Sequence, residues 1–199
     1  MEYVHVIDNL IPLEFCNHVI DKFDKHPGKF TGKMGVVDDG RVEPMIKKCT
    51  DLHPSHHEDW RVEEEQLEKY VGVGIVKYLE HLNDKIFNGN FRILREMFGH
   101  ENALDPTGFQ IQKYVPGGYF KWHIDDAPTQ KRLIAYIVYL NTLNEEDGGK
   151  TLFLNGKSIT PKAGSILLFP STWTYTHSGE TLIKGSKYII TGFLNERLP

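Results

Sequence analysis

The sequence predicts an α+β fold in which helices come first and support a core of antiparallel β-structure. Three observations carry this expectation. Apolar residues recur at helical spacing in the first hundred residues. From about residue 105 the period changes to short apolar or alternating runs. Turn chemistry at Pro116-Gly117-Gly118, Asp147-Gly148-Gly149, Asn155-Gly156 and Ala163-Gly164 separates those runs. Many short strands with such punctuation make a sandwich or barrel. Helices that precede the strands buttress one sheet, whereas helices alternating with them would build a parallel array.

The elements follow in chain order. Pro12 followed by LEFCNHVIDKF predicts a helix with proline in its first turn and Phe15, Val19, Ile20 and Phe23 on one side. Residues 62–88 carry Leu67, Val71, Ile75, Leu79, Leu82 and Ile86, a second helical stripe, weakened by Gly72 and Gly74 at about 1 kcal/mol each. Between them, residues 30–58 are rich in Gly, Pro and charge, and read as a substrate lid or a disordered loop, with Asp39-Gly40 as a hairpin turn. The strands expected are FQIQKY, YFKWHID, RLIAYIVYLN, TLFLN, SILLFP and SKYIITGFLN. No repeat, linker or low-complexity tract divides the 199 residues, so one domain is expected, helix-rich over 1–100 and strand-rich over about 105–195.

Composition excludes several classes. At 40% hydrophobic and 12% aromatic residues the chain is globular. A formal net charge of −4 argues against a general nucleic-acid surface. The longest apolar run, LIAYIVYL, is too short to cross a membrane, and MEYVHVIDN lacks the basic flank of a signal peptide. Cys16 and Cys49 form no CxxC, so a thiolate zinc site or disulfide framework is not expected, and a cytoplasmic, reducing setting is.

The chemistry centres on YFKWHIDD, residues 119–126. On a strand, His123 and Asp125 would share a face with Cα atoms about 6.6 Å apart, letting an imidazole and a carboxylate converge on one ion. Trp122 and Ile124 would take the opposite face, and Trp122 and Trp173 read as core packing. His-x-Asp alone is weak evidence. A second instance, His57-Glu58-Asp59, lies in a polar stretch without strand period and reads as a solvated loop. His123 and Asp125 have a candidate third ligand in His177, after the SILLFP run. Two imidazoles and a carboxylate suit non-haem Fe(II) with oxygen, and a related set serves zinc hydrolysis. Ten positions on, Lys187 lies in an apolar strand, where a buried ammonium needs an anion.

YVPGGYFKWHIDD, KRLIAYIVYLN, GGKTLFL, GSILLFP and HSGETLIKGSKYIITGF resemble, in order and spacing, the Fe(II)- and 2-oxoglutarate-dependent dioxygenases, in particular their prolyl 4-hydroxylase-like branch. The resemblance spans about residues 105–195 and is weaker in VIDNLIPLEFCNHVI. It implies a double-stranded β-helix, or jelly-roll, with the metal inside, its ligand face turned inward and its outer face covered by the N-terminal helices. It implies that His123, Asp125 and His177 hold iron and that Lys187 holds the distal carboxylate of 2-oxoglutarate. Tyr114, Tyr139, Thr191 and Phe193 match positions lining the cosubstrate pocket. The implied reaction consumes O2, with ascorbate allowed as reductant, and Asp125 marks a hydroxylase rather than a halogenase. Departures at Ala135 and Phe193, where relatives often carry threonine and tryptophan, bear on the pocket and the substrate; Gly179 stands where many have valine.

The expected substrate is an extended, proline-containing peptide or protein segment, met by Arg41, Lys47 and Lys48 of the 30–58 segment. The rivals are the same chemistry on a free amino acid, another small molecule or a nucleobase, and a non-enzymatic jelly-roll binding module.

Overall fold

In the computed structural model, residues 3–34, 41–90, 104–126 and 131–196 are described, together with Arg92 and Glu96. The first strands in chain order are β1 (His5–Ile7), β2 (Phe30–Thr31), β3 (Lys47–Lys48), β4 (Thr50–Leu52), β5 (Leu104–Pro106) and β6 (Gln110–Tyr114). They are followed by β7 (Tyr119–His123), β8 (Arg132–Tyr139), β9 (Thr151–Phe153), β10 (Ser158–Ile159), β11 (Ser165–Pro170), β12 (His177–Gly179) and β13 (Lys187–Glu196). One antiparallel sheet has the order β1-β11-β8-β13-β6-β4-β2, with β5 on β13, and the second has the order β10-β9-β12-β7-β3. From β6 to β13 successive strands pass back and forth between the sheets, apart from the β9–β10 hairpin. That is the jelly-roll arrangement, and all six expected strands are present.

Two helices cover the outer face of the larger sheet. α1 (Leu13–Lys25) buries Phe15, Cys16, Val19 and Phe23, as its stripe predicts, with proline just before it. α2 (Arg61–Lys85) buries Leu67, Val71, Gly74, Tyr78 and Leu82, so Gly74 and Tyr78 take the centre of the seam and the expected Ile75 and Leu79 lie at its margin. A Cβ on Gly74 would lie 3.0 Å from Leu10 and 3.3 Å from Ile166, so the glycine that weakens the helix also lets it sit close to β11. These helices pack on Ile134, Tyr136, Val138, Ile166, Leu168 and Ile190. The opposite side chains, among them Ala135, Ile137, Tyr139, Leu167, Phe169 and Ile189, fill the space between the sheets. β8 and β11 are therefore buried on both faces, which is why their sequences are nearly unbroken apolar runs.

In its described residues the 30–58 segment is not a loop without structure. Phe30–Thr31 and Thr50–Leu52 extend the larger sheet, Lys47 and Lys48 pair with Phe120 and Tyr119 at the edge of the smaller one, and two single-turn 3₁₀ helices lead into α2. Fully buried Trp60 anchors its far end. The Asp39-Gly40 turn lies outside the described residues, although Met34 and Arg41 on either side of it form a bridge.

Two packing expectations are corrected. Trp122 and Ile124 are 49% and 47% exposed, because the helices cover the larger sheet and leave the outer face of the smaller one open. Trp173, at 75% exposure, is no core residue either. Among the described residues no helix is long and apolar enough to cross a membrane.

Candidate active site

His123 ends β7 and pairs with His177, which begins β12. The register between these strands slips. His177 faces His123, yet Gly179 faces Phe120, so three steps on β7 match two on β12. This bulge places Lys121 and Trp122 together on the exposed side and turns both Phe120 and His123 inward, their rings stacked with centroids 3.6 Å apart. The strict period-two reading of YFKWHID is thus corrected, although the side chains of His123 and Asp125 still converge. Asp125 lies just past the strand, with Oδ1 3.7 Å from His123 Nε2 and Oδ2 3.5 Å from His177 Nε2. The donor atoms of the three residues lie within 4.8 Å of one another.

Hydrogen bonds fix which imidazole nitrogens are available. His123 Nδ1 donates to the Lys121 carbonyl at 2.7 Å, and His177 Nδ1 donates to the Tyr175 carbonyl at 3.1 Å. A neutral ring that donates through Nδ1 keeps its lone pair on Nε2, so both lone pairs face Asp125. Burial, and then the neighbouring His177, push His123 down to about 4, which keeps that ring neutral near pH 7. The donor set, its tautomers and its partly buried setting fit a divalent metal ion.

His57 and Asp59 invite the same test. With His26, their donor atoms also come within 4.8 Å. Here the Gly28 N–H donates to His26 Nδ1 at 3.0 Å, so the neutral ring carries its proton on Nε2, facing Asp59 Oδ2 at 3.6 Å. A protonated Nε2 cannot ligate. The tautomer of His26 separates this cluster from that of His123, Asp125 and His177, where the spacing of the His-x-Asp pairs does not.

The ligand residues open into a cavity of about 700 Å³ between the sheets. Lys187, paired across β13 and β6 with Tyr114, lines it and is only 3% exposed. Its ammonium lies 5.5 Å from the Tyr114 ring centroid and 6.0 Å from that of Tyr139, and has no hydrogen-bond partner among the described residues. Burial pushes it down from 10.5 to about 8, with Glu180 opposing. A buried cation left without an anion fits a ligand that brings a carboxylate.

Tyr114 and Thr191 also line the cavity. The Tyr114 hydroxyl donates to Gln112 Oε1 at 2.7 Å, and Gln112 Nε2 donates to Gln110 at 2.6 Å and to Thr191 at 3.3 Å. Tyr139 stands behind the wall: its hydroxyl is 2.7 Å from that of Thr151, which does line the cavity. Lys47, expected to meet substrate freely, is buried in an ion pair with Asp51 at 2.7 Å, while Lys48 and Arg41 are exposed. Sequence reasoning missed Gln110 and Gln112, although their alternation with Tyr114 in FQIQKY was the available signal. It also missed Arg132, whose guanidinium covers the Phe193 ring at 3.8 Å and donates to the Asp125 carbonyl at 2.9 Å.

Fold and site together are a jelly-roll whose inner cavity carries a two-histidine, one-carboxylate set able to hold a metal ion. Residues 109–195, which include His123, Asp125 and His177, match the family model of the 2OG-Fe(II) oxygenase superfamily. No curated protein matches the sequence. The fold is shared with the 2OG complex of a viral collagen prolyl hydroxylase from Paramecium Bursaria Chlorella virus-1, at TM-score 0.65 and 20% identity over 98% of this chain and 97% of that one. It is shared with a Trichoplax adhaerens prolyl hydroxylase in complex with a hypoxia inducible factor oxygen degradation domain peptide fragment, at TM-score 0.72 and 17% identity over 98% and 84%. A Pseudomonas putida prolyl-4-hydroxylase gives TM-score 0.62 and 17% identity over 99% and 94%.

Proposed function

We propose that this chain is one catalytic unit that hydroxylates an unactivated C–H of a peptidyl proline, using Fe(II), 2-oxoglutarate and O2. The observation that carries the reading is Lys187, a buried and unpartnered ammonium facing the same cavity as the His123–Asp125–His177 set. In this reading His123 and His177 offer Nε2 lone pairs to the metal and Asp125 offsets part of its charge. Lys187 takes the distal carboxylate of 2-oxoglutarate, and Tyr114 and Thr191 shape the pocket around its chain. Tyr139 contributes by orienting Thr151. Bound iron and 2-oxoglutarate supply the oxygen-activating decarboxylation that yields succinate, CO2 and a hydroxylated product. The aliphatic and aromatic walls exclude bulk water from that step.

The fold neighbours that act on proline support the peptidyl substrate, and the cavity opens between the sheets beside the 30–58 segment, as an extended peptide requires. The unpaired thiols of Cys16 and Cys49 suit a reducing, cytoplasmic setting. The test is succinate release with Fe(II) and 2-oxoglutarate, paired with mass spectrometry of proline-rich peptides. A +16 product matched one-for-one by succinate supports the reading. Succinate release with +16 found only on small molecules of a cell extract moves the reaction to a free substrate. Absence of any 2-oxoglutarate turnover defeats the enzymatic reading.

A further inference from the structure

The ligand set and Lys187 leave part of the cavity wall unassigned. That part is lined by Ser55, His56, Thr107, Gly108, Tyr136 and Gly192. Tyr136 on β8 is 1% exposed, and its hydroxyl has no hydrogen-bond partner among the described residues. Its cross-strand neighbour on β13 is Gly192. A Cβ on Gly192 would lie 2.0 Å from the Tyr136 hydroxyl oxygen and 2.9 Å from the Gly108 carbonyl oxygen. Gly192 is not among the glycines with positive φ, so its role is to leave space rather than to permit a turn. The missing side chain lets the tyrosine ring lie across the strand and carry its hydroxyl to the cavity wall. Phe109 holds the ring edge-on, with centroids 6.4 Å apart at 65°.

Burial pushes the Tyr136 phenol up, so it stays protonated and can donate. Ser55 and His56 also line the cavity and can donate, whereas the Thr107 hydroxyl is engaged with the Phe193 backbone. A nearly buried hydroxyl facing a cavity without a partner is costly unless a ligand supplies an acceptor. We propose that Tyr136, seated on Gly192, is a specificity-determining residue that donates to an acceptor oxygen of the substrate segment, either a peptide carbonyl or a carboxylate. This rests on the peptide reading above and extends it to a contact outside the ligand set.

The test uses a proline-containing peptide that the wild-type enzyme hydroxylates, and compares it with Tyr136→Phe, which keeps the ring. Loss of one such hydrogen bond corresponds to a rise in peptide KM of roughly 5- to 30-fold, well beyond any change in the KM for 2-oxoglutarate. Gly192→Ala, which would displace the hydroxyl, is expected to raise peptide KM in the same direction. Peptides with an acidic residue, its amide or alanine beside the target distinguish the sources. An equal loss on all three identifies a backbone carbonyl, and a loss confined to the acidic peptide identifies a carboxylate. A peptide KM within twofold of wild type in Tyr136→Phe overturns this inference while leaving the peptide reading intact. A wild-type enzyme that consumes 2-oxoglutarate but hydroxylates no peptide overturns the peptide reading, and this contact with it.

Discussion

Replacing Lys187 with methionine is expected to separate stability from activity. Burial lowers the ammonium from 10.5 to about 8. At about 1.4 kcal/mol per pH unit, the charged form costs the ligand-free fold about 3 kcal/mol. The sign follows from a depressed basic group. The penalty is fully present below pH 8, where the folded protein carries a desolvated ammonium, and is relieved as pH rises from about 8 to 10.5. Methionine has a similar shape and no charge, so Lys187→Met should raise the melting temperature of the ligand-free protein by roughly 5–10 °C at pH 7. The gain should shrink as pH rises through that window. The same variant loses the partner of a buried carboxylate, about 2–4 kcal/mol, so the KM for 2-oxoglutarate should rise roughly 30- to 900-fold. Calorimetry across pH and 2-oxoglutarate saturation kinetics measure the two halves. A lower melting temperature together with a KM within threefold of wild type would refute the assignment of Lys187 as a cation held for a ligand.

Three further outcomes are expected. Asp125→Ala should abolish turnover, and 2-oxoglutarate decarboxylation persisting at the wild-type rate would refute its place in the ligand set. Asp51→Ala strands the buried Lys47 ammonium and removes the acceptor for Gln110 and Cys49, so denaturant unfolding should show a loss of about 3–5 kcal/mol; a change below 1 kcal/mol would contradict that pairing. Trp122→Ala and Trp173→Ala, both at exposed positions, should change stability by only about 0.5 kcal/mol or less, and a loss above 2 kcal/mol would mean that these rings are buried after all.

The strands were legible because turn residues frame them and because β8 and β11, buried on both faces, read as long apolar runs. α1 was legible in the same way, from its proline start and its stripe. α2 was placed correctly but its seam was shifted, since Gly74 counts as a weak helix residue while its missing side chain admits the sheet. The short strands of the 30–58 segment left little trace: two or three residues cannot establish a period, and their pairing partners lie far along the chain. His123, Asp125 and His177 were picked out as candidates by residue type and order, and the fold brings their donor atoms together, yet the bulge that turns Phe120 and His123 to one side breaks the alternation used to orient them. The tautomers that distinguish this set from His26, His57 and Asp59 depend on backbone groups brought close only by folding. Tyr136 and Gly192 looked like ordinary strand residues because their relation is purely cross-strand.

An anaerobic crystal soaked with Fe(II) and 2-oxoglutarate addresses the central claim most directly. The expected result is one iron bound by His123 Nε2, Asp125 and His177 Nε2, with the distal carboxylate of 2-oxoglutarate on Lys187 Nζ. Iron at His26, His57 and Asp59, or a cosubstrate carboxylate that leaves Lys187 untouched, would contradict the account.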